Sequence, residues 1–273
     1  MKKATLFFAI LMAVFFNGCE DVIKVNLNTA PPKLVIEASI NWLKGTPGNN
    51  QTIKLTTTTD FYANVIPVVS GATVFITNSS NVIFNFVEKP KSGEYISSNF
   101  IPIINERYIL TVISNGQTYT AAETLKSVAP ITRIVQNNQG GFTGNNIEIK
   151  AFFNDPANED NYYLFEHLYS NQVKSNYYAD EDKYFQGNEF FSISQNKDLK
   201  AGDKVEISHF GISKTYYNYM KVLMSIAATR NGSPFQSPPA TVRGNIINIT
   251  NFNNYALGYF SLSEVDTKNY VVQ

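Results

Sequence analysis

Alternation with a period of two, interrupted repeatedly by Gly, Pro and Asn, limits this chain more than any other feature. In residues 34–42, Leu34, Ile36, Ala38, Ile40 and Trp42 fall on one side, and Val35, Glu37, Ser39 and Asn41 on the other. A chain that alternates in this way forms a strand with one face buried. Ile53, Leu55 and Thr57 repeat the pattern, as do Ala72, Val74 and Ile76, then Val82, Phe84 and Phe86, then Tyr108, Leu110 and Val112. Turns separate them at 45–50, at Ser70-Gly71 and at 90–93. Asn115-Gly116 predicts a tight hairpin, because both residues tolerate the positive φ of a type I′ turn. About seven short strands over 33–127 predict an immunoglobulin-like β-sandwich.

A boundary is expected at 127/128, where Pro130 follows Val128 and Ala129 and biases its predecessor to extended backbone. Residues 128–273 are expected to form a second β-rich domain. Its strands are read at 147–153, 162–169, 190–194 and 204–210. Residues 136–146 read as a polar loop or hairpin tip, 154–161 as a loop, and 177–188 as an irregular, aromatic-rich stretch. The period changes over 213–230: Tyr216, Tyr219, Met220, Leu223, Met224 and Ala227 recur at three and four, predicting one amphipathic helix. Ser213 is its expected N-cap and Asn231-Gly232 its stop. The fold class is therefore mostly β, two sandwich-type domains, the second with one helix. The 20 Phe and 16 Tyr can supply the cores.

The amino terminus carries a different signal. Lys2 and Lys3 precede an apolar run from Ala4 to Phe16, and Asn17-Gly18 leads to Cys19, the chain's single cysteine. Residues 1–18 read as a secretory signal, too short to span a bilayer as a mature helix. A signal ending at cysteine resembles that of bacterial lipoproteins, in which the cysteine is lipidated and becomes the first mature residue. Several acyl chains on Cys19 would anchor the protein stably, since one chain alone holds only marginally. Residues 19–32, with Pro31 and Pro32, would form the tether. Glu20 and Asp21 resemble the acidic surface-export signal of Bacteroidetes-type lipoproteins. Without Lys2 and Lys3, the chain's 22 basic residues fall just below its 22 acidic ones, a net charge near −2. That balance argues against nucleic acid as a partner.

A second resemblance lies downstream, in Ser233-Pro234-Phe235, Pro238-Pro239, Val242, Gly244-Asn245-Ile246 and Leu257-Gly258-Tyr259-Phe260. With the stretch from Cys19 to Ala38, these residues resemble the DUF4249 family of Bacteroidetes lipoproteins. The resemblance implies an outer-membrane location, lipid-anchored. It also implies a partner, a TonB-dependent outer-membrane barrel receptor, since family members are often encoded beside one. No catalytic residues come with it. Phe235, Leu257 and Phe260 are expected to pack against the helix or sheet of the second domain.

Residues with chemical capacity are few. His167 and His209 both share a strand face with apolar neighbours, which points to packed histidines. HExxH, GxSxG, phosphate-loop and CxxC motifs are absent from the sequence, so no catalytic set and no cofactor is expected. Asp155, Asn158 and Asp160 would be the first residues to consider for calcium, which needs six to eight oxygens; their spacing is not that of an EF-hand, and no metal is expected. Adjacent aromatic pairs are the most suggestive feature: Tyr162-Tyr163, Tyr177-Tyr178, Tyr184-Phe185, Phe190-Phe191 and Tyr216-Tyr217. Neighbours in a strand point to opposite faces, so such pairs push one ring outward unless a helix or loop covers it. Tyr177, Tyr178 and Tyr184 are the expected contact surface for a glycan, a peptide or a partner protein. The functional expectation is a non-enzymatic binding or accessory partner of a TonB-dependent transporter, contributing to nutrient capture. The alternatives are a structural or assembly lipoprotein that binds only proteins and, third, a surface hydrolase.

Overall fold

In the computed structural model, which describes residues 31–60, 63–141, 144–228 and 242–273, strand β1 (Leu34–Leu43) buries Ile36, Ala38 and Ile40, as its alternation predicts. Its neighbours follow the same rule. These are β2 (Gln51–Thr57), β3 (Thr73–Asn78), β4 (Ile83–Glu88), β5 (Glu94–Ser97), β6 (Arg107–Ser114) and β7 (Gln117–Thr124). Their inward residues, including Ile53, Leu55, Phe84, Tyr95, Tyr108 and Leu110, form one core with Phe100 of the β5–β6 connection. The β6–β7 hairpin turns through Asn115 (φ 49) and Gly116 (φ 70), the two left-handed residues that the Asn-Gly pair supplies.

The second half adds β8 (Ile131–Gly140), β9 (Asn146–Asn154), β10 (Tyr162–Tyr169), β11 (Asn176–Glu181), β12 (Glu189–Gln195), β13 (Lys204–Ile212), β14 (Ile247–Asn248) and β15 (Leu257–Val271). Helix α1 (Lys214–Ala228) lies between β13 and β14. The Ser213 Oγ accepts the Tyr216 N–H at 3.1 Å, the expected N-cap. Asn231-Gly232 and Phe235 lie outside the described residues, as do Cys19 and the signal. Residues 177–188 are not irregular throughout: β11 occupies 176–181, and a 3₁₀ turn follows at Asp182–Tyr184. Acidic residues read poorly as strand, but pairing with β10 overrides that local preference.

The strands make two sheets. Twelve run in the order β11-β10-β13-β15-β1-β2-β5-β4-β3-β6-β7-β14, and three in the order β12-β9-β8. Strand β15 connects the halves. Its first part pairs parallel with β1, from Leu257 beside Val35 to Val265 beside Leu43. Its second part pairs antiparallel with β13, from Val265 to Val271. At ~3.4 Å per residue it spans roughly 50 Å. All residues from Tyr259 to Asp266 are buried. Residues 32–273 thus form one compact unit, and strand β15 spans the expected boundary at 127/128. Phe260 consequently joins the core of the first sandwich, not the second as expected from the sequence.

The passage between the two halves is held by acids of β15. Glu264 accepts the Val128 N–H at 2.9 Å and pairs with Lys44 at 2.8 Å. Asp266 accepts the Ile131 N–H at 2.7 Å. The segment crosses so close to β13 that a Cβ on Gly211 would lie 1.8 Å from the Ser127 carbonyl oxygen. On the far side of the large sheet, α1 packs Tyr217 and Met220 against Leu164, Phe210, Ile212 and Val265. The second half therefore has three layers: the small sheet, the large sheet and the helix.

Candidate functional site

Cross-sheet contacts show which strands face each other. The Tyr169 hydroxyl meets Ser194 Oγ at 2.6 Å and His167 Nε2 lies 3.3 Å from Ser192 Oγ, so β10 faces β12. Phe153 lies 4.4 Å from His209, so β9 faces β13. Tyr270 on β15 donates to Gln136 on β8 at 3.1 Å. Strand β11 is left over: it extends the large sheet past β12, with no strand of the small sheet opposite it among the described residues. The space beside β12 is a slot of about 290 Å³, lined by Phe165, Tyr178, Asp180, Phe190, Phe191, Ser192 and Ile193. That is the small end of the ~300–1,000 Å³ range of ligand clefts.

Local sequence builds this slot. Tyr178 stands opposite Phe165 in the β10–β11 register, and Asp180 opposite Tyr163, so both face the sandwich interior. Ser192 and Ser194 are small enough to let His167 and Tyr169 reach across. Phe190 stacks on Phe185 at 3.8 Å between ring centroids and is thereby fixed. Phe191 packs against Phe152 at 5.2 Å, with the Lys150 ammonium 4.7 Å from its ring. Asp180 is exposed at the slot mouth. Crowding still pushes its carboxyl up from the usual range, opposed by Lys221 and reinforced by Glu181. Burial likewise raises the Tyr178 phenol.

The three tyrosines singled out from sequence do not form one surface. Tyr178 lines the slot. Tyr177 points to the opposite face and donates to Glu166 at 2.7 Å. Tyr184 is 86% exposed on the 3₁₀ turn and is not one of the lining residues. Phe165, Asp180, Phe191, Ser192 and Ile193 were not singled out as a contact surface. The Phe190-Phe191 pair was the visible clue, since an aromatic pair on an edge strand keeps one ring at the rim. The Tyr162-Tyr163 pair takes the covered alternative: Tyr163 is buried, and Tyr162 lies 5.2 Å from Tyr217 of the helix.

Both histidines are buried, and so is Asp155. His209 sits among Phe153, Tyr163 and Phe165, with the Phe165 ring stacked at 4.5 Å. Burial pushes it down to about 3, partly offset by the Ala129 backbone. Burial pushes His167 down to about 4. Although His167 touches a serine of the slot, its Nδ1 has no hydrogen-bond partner among the described residues. A nucleophile–histidine pair needs a third group there to fix the tautomer, so this contact is read as packing. Asp155 is buried; its carboxylate accepts the Tyr163 hydroxyl at 2.5 Å and the Gly187 N–H at 2.8 Å. Asn158 and Asp160 are exposed. Among the described residues no three His, Cys, Asp or Glu side chains cluster to hold a metal. No helix among them is long and apolar enough to cross a membrane.

A family model described as "Domain of unknown function (DUF4249)" matches residues 20–269. The chain belongs to the DUF4249 family. No curated protein matches it in sequence. Among solved structures, a two-domain fibronectin type III segment of chicken tenascin is similar at 12% identity and a TM-score of 0.22, covering 66% of this chain and 90% of that one. The FN1–FN3 domains of chicken CNTN1 are similar at 11% and 0.28, covering 68% and 64%. A pullulanase complexed with maltotriose, from Anoxybacillus sp. LM18-11, is similar at 12% and 0.21, covering 64% and 24%. At such TM-scores these likenesses add nothing to the architecture read from the sheets. In this DUF4249 chain the motif around Gly244 and Gly258 ties β15 to the segment before it. Asn245 donates to the Phe260 carbonyl at 2.8 Å and accepts its N–H at 2.9 Å, as a strand neighbour would. Gly258 (φ +96) leaves no room for a Cβ, which would lie 2.0 Å from the Ile36 carbonyl oxygen.

Proposed function

We propose that this protein is a cell-envelope lipoprotein, lipidated at Cys19 and anchored to the outer membrane at the cell surface. There it acts as a non-enzymatic binding partner of a TonB-dependent transporter and contributes to nutrient capture. The observation that carries the binding role is the slot beside β12, where Tyr178, Phe190, Phe191 and Asp180 line a recess at an exposed sheet edge. Aromatic faces with one acid suit capture through stacking and a directed polar contact. The anchor and the transporter rest on the signal ending at Cys19 and on the family resemblance. The test is a pull-down of the lipidated protein from detergent-solubilised outer membrane, with copurifying chains identified by mass. A large β-barrel receptor is the expected companion; recovery of the protein alone, or with unrelated envelope proteins, removes the transport reading.

A second reading is an assembly lipoprotein that binds only proteins. It is favoured by the outer face of the first sandwich, where Ile83, Val87, Ile109, Ile113 and Ile247 are all exposed. Thr77 pairs with both Ile83 and Ile109, so those three form a row across β4, β3 and β6 with no charge in it. Uncharged apolar sheet faces of this kind mark protein contacts. The same pull-down separates the readings by what accompanies the protein.

A further inference from the structure

We propose that the slot takes an extended peptide as a fourth strand on β12, with an apolar side chain against Tyr178 and Phe165 and a Lys or Arg side chain beside Asp180. This inference rests on the slot being the ligand site and names the class of ligand.

Three observations favour a peptide. First, among the described residues β12 pairs only with β9, so its other side is there an open row of backbone donors and acceptors. A ligand that satisfies that row must repeat with a strand's spacing, which a peptide main chain does and a sugar does not. Second, the neighbouring sheet already provides the opposite wall. Strand β11 overhangs the place where a fourth strand of the small sheet would lie, and its inward residues Tyr178 and Asp180 have no strand facing them. Packed sheets lie ~10 Å apart, so the recess has the depth of one strand with its side chains. Third, the edge is unprotected. Natural edge strands are blunted by Lys, Pro or bulges. Strand β12 reads EFFSISQ, with no Lys or Pro, and its one charge, Glu189, is paired with Arg133 at 2.7 Å. The free edge of β11 by contrast carries Asp180 and Glu181, and β8 carries Arg133.

Charge sets the expected sequence. Asp180 is the only ionisable carboxylate among the lining residues, and it has no hydrogen-bond partner among the described residues. Lys221 of the helix acts on it only through space, and a cationic side chain in the slot gives it a direct partner. Tyr178 and Asp180 are two residues apart on one face, so the peptide should present an apolar residue and a basic residue with the same separation.

The test uses the full lipidated protein immobilised in detergent and a tryptic digest of casein, whose peptides mostly end in Lys or Arg. Retained peptides are identified by mass. Retention of peptides with an apolar residue two positions from the basic one is expected. It should fall tenfold or more with Asp180→Lys, a change at an exposed position that leaves the core intact. A synthetic copy of the best-retained peptide, N-methylated at alternate residues, should bind at least tenfold more weakly because it cannot pair with the edge. Equal retention by Asp180→Lys, or equal binding of the methylated copy, overturns the proposal. Retention of maltoheptaose without any peptide also overturns it, while leaving the slot as a ligand site. Absence of both ligands overturns it together with the capture reading. Peptide binding by a protein that copurifies with no barrel would support the slot assignment and count only against the transporter.

Discussion

Lowering the pH from 7.5 to 5 should destabilise the fold through its two histidines. His167 and His209 are fully buried, and burial holds them at about 4 and about 3. In the unfolded chain each returns to an ordinary value near ~6.5. The unfolded state therefore binds protons first as the pH falls. The stability is fully present above pH 6.5 and is lost progressively as the pH drops towards the native values. At pH 5 each ring costs about 2 kcal/mol, from 1.36 kcal/mol per pH unit below the unfolded value. Both together are a large part of the ~5–15 kcal/mol of a typical domain. Glu123 and Asp182, whose carboxyls burial raises, and Asp180, raised by crowding at the slot mouth, work in the opposite direction. The comparison must therefore be made against a variant. Urea unfolding of wild type and of His167→Gln/His209→Leu, followed by circular dichroism and by Trp42 fluorescence, measures the difference. The wild type should lose about 4 kcal/mol more than the variant between pH 7.5 and 5. Equal losses would refute the reasoning, as would a native histidine NMR resonance titrating near pH 6.5.

Two other substitutions address separate parts of the molecule. Asn245→Asp keeps the acceptor for the Phe260 N–H but sets a carboxylate oxygen against the Phe260 carbonyl; a loss of about 1–3 kcal/mol is expected in the same urea titration. Cys19→Ser should move the protein from the detergent phase to the aqueous phase in Triton X-114 partition. Unchanged partition would remove the lipid anchor.

Local features of the fold were legible wherever the physics is local. The face of β1 follows from Leu34 to Trp42, the β6–β7 turn from Asn115-Gly116, and the helix start from Ser213. What escaped was non-local. Nothing near Leu257 announces a parallel partnership with Val35 across most of the chain, because pairing of that kind depends on which edges the rest of the fold leaves free. It is this pairing that carries Phe260 into the first core. Strand β11 was hidden for a related reason: Asn176, Asp180 and Glu181 disfavour strand, and the β10 edge supplies what local preference does not. The slot exists because the large sheet has one strand more than the small one beyond β10. That difference is a property of strand count, so Tyr178 could be marked as an aromatic but not paired with Asp180 and Phe190. Tyr177 and Tyr178 can share a surface in an irregular stretch; in β11 they diverge, as adjacent strand residues must.

The most direct test of the central claim is photocrosslinking in living cells, with a benzophenone amino acid placed at Tyr184 in one strain and at Val135 in another. Tyr184 lies on the turn that closes the β11 end of the second sandwich, and Val135 on β8, across the small sheet from β12. The account predicts that illumination at 184 yields an adduct with a TonB-dependent barrel and that 135 yields less. Adducts with no barrel from either position would contradict it.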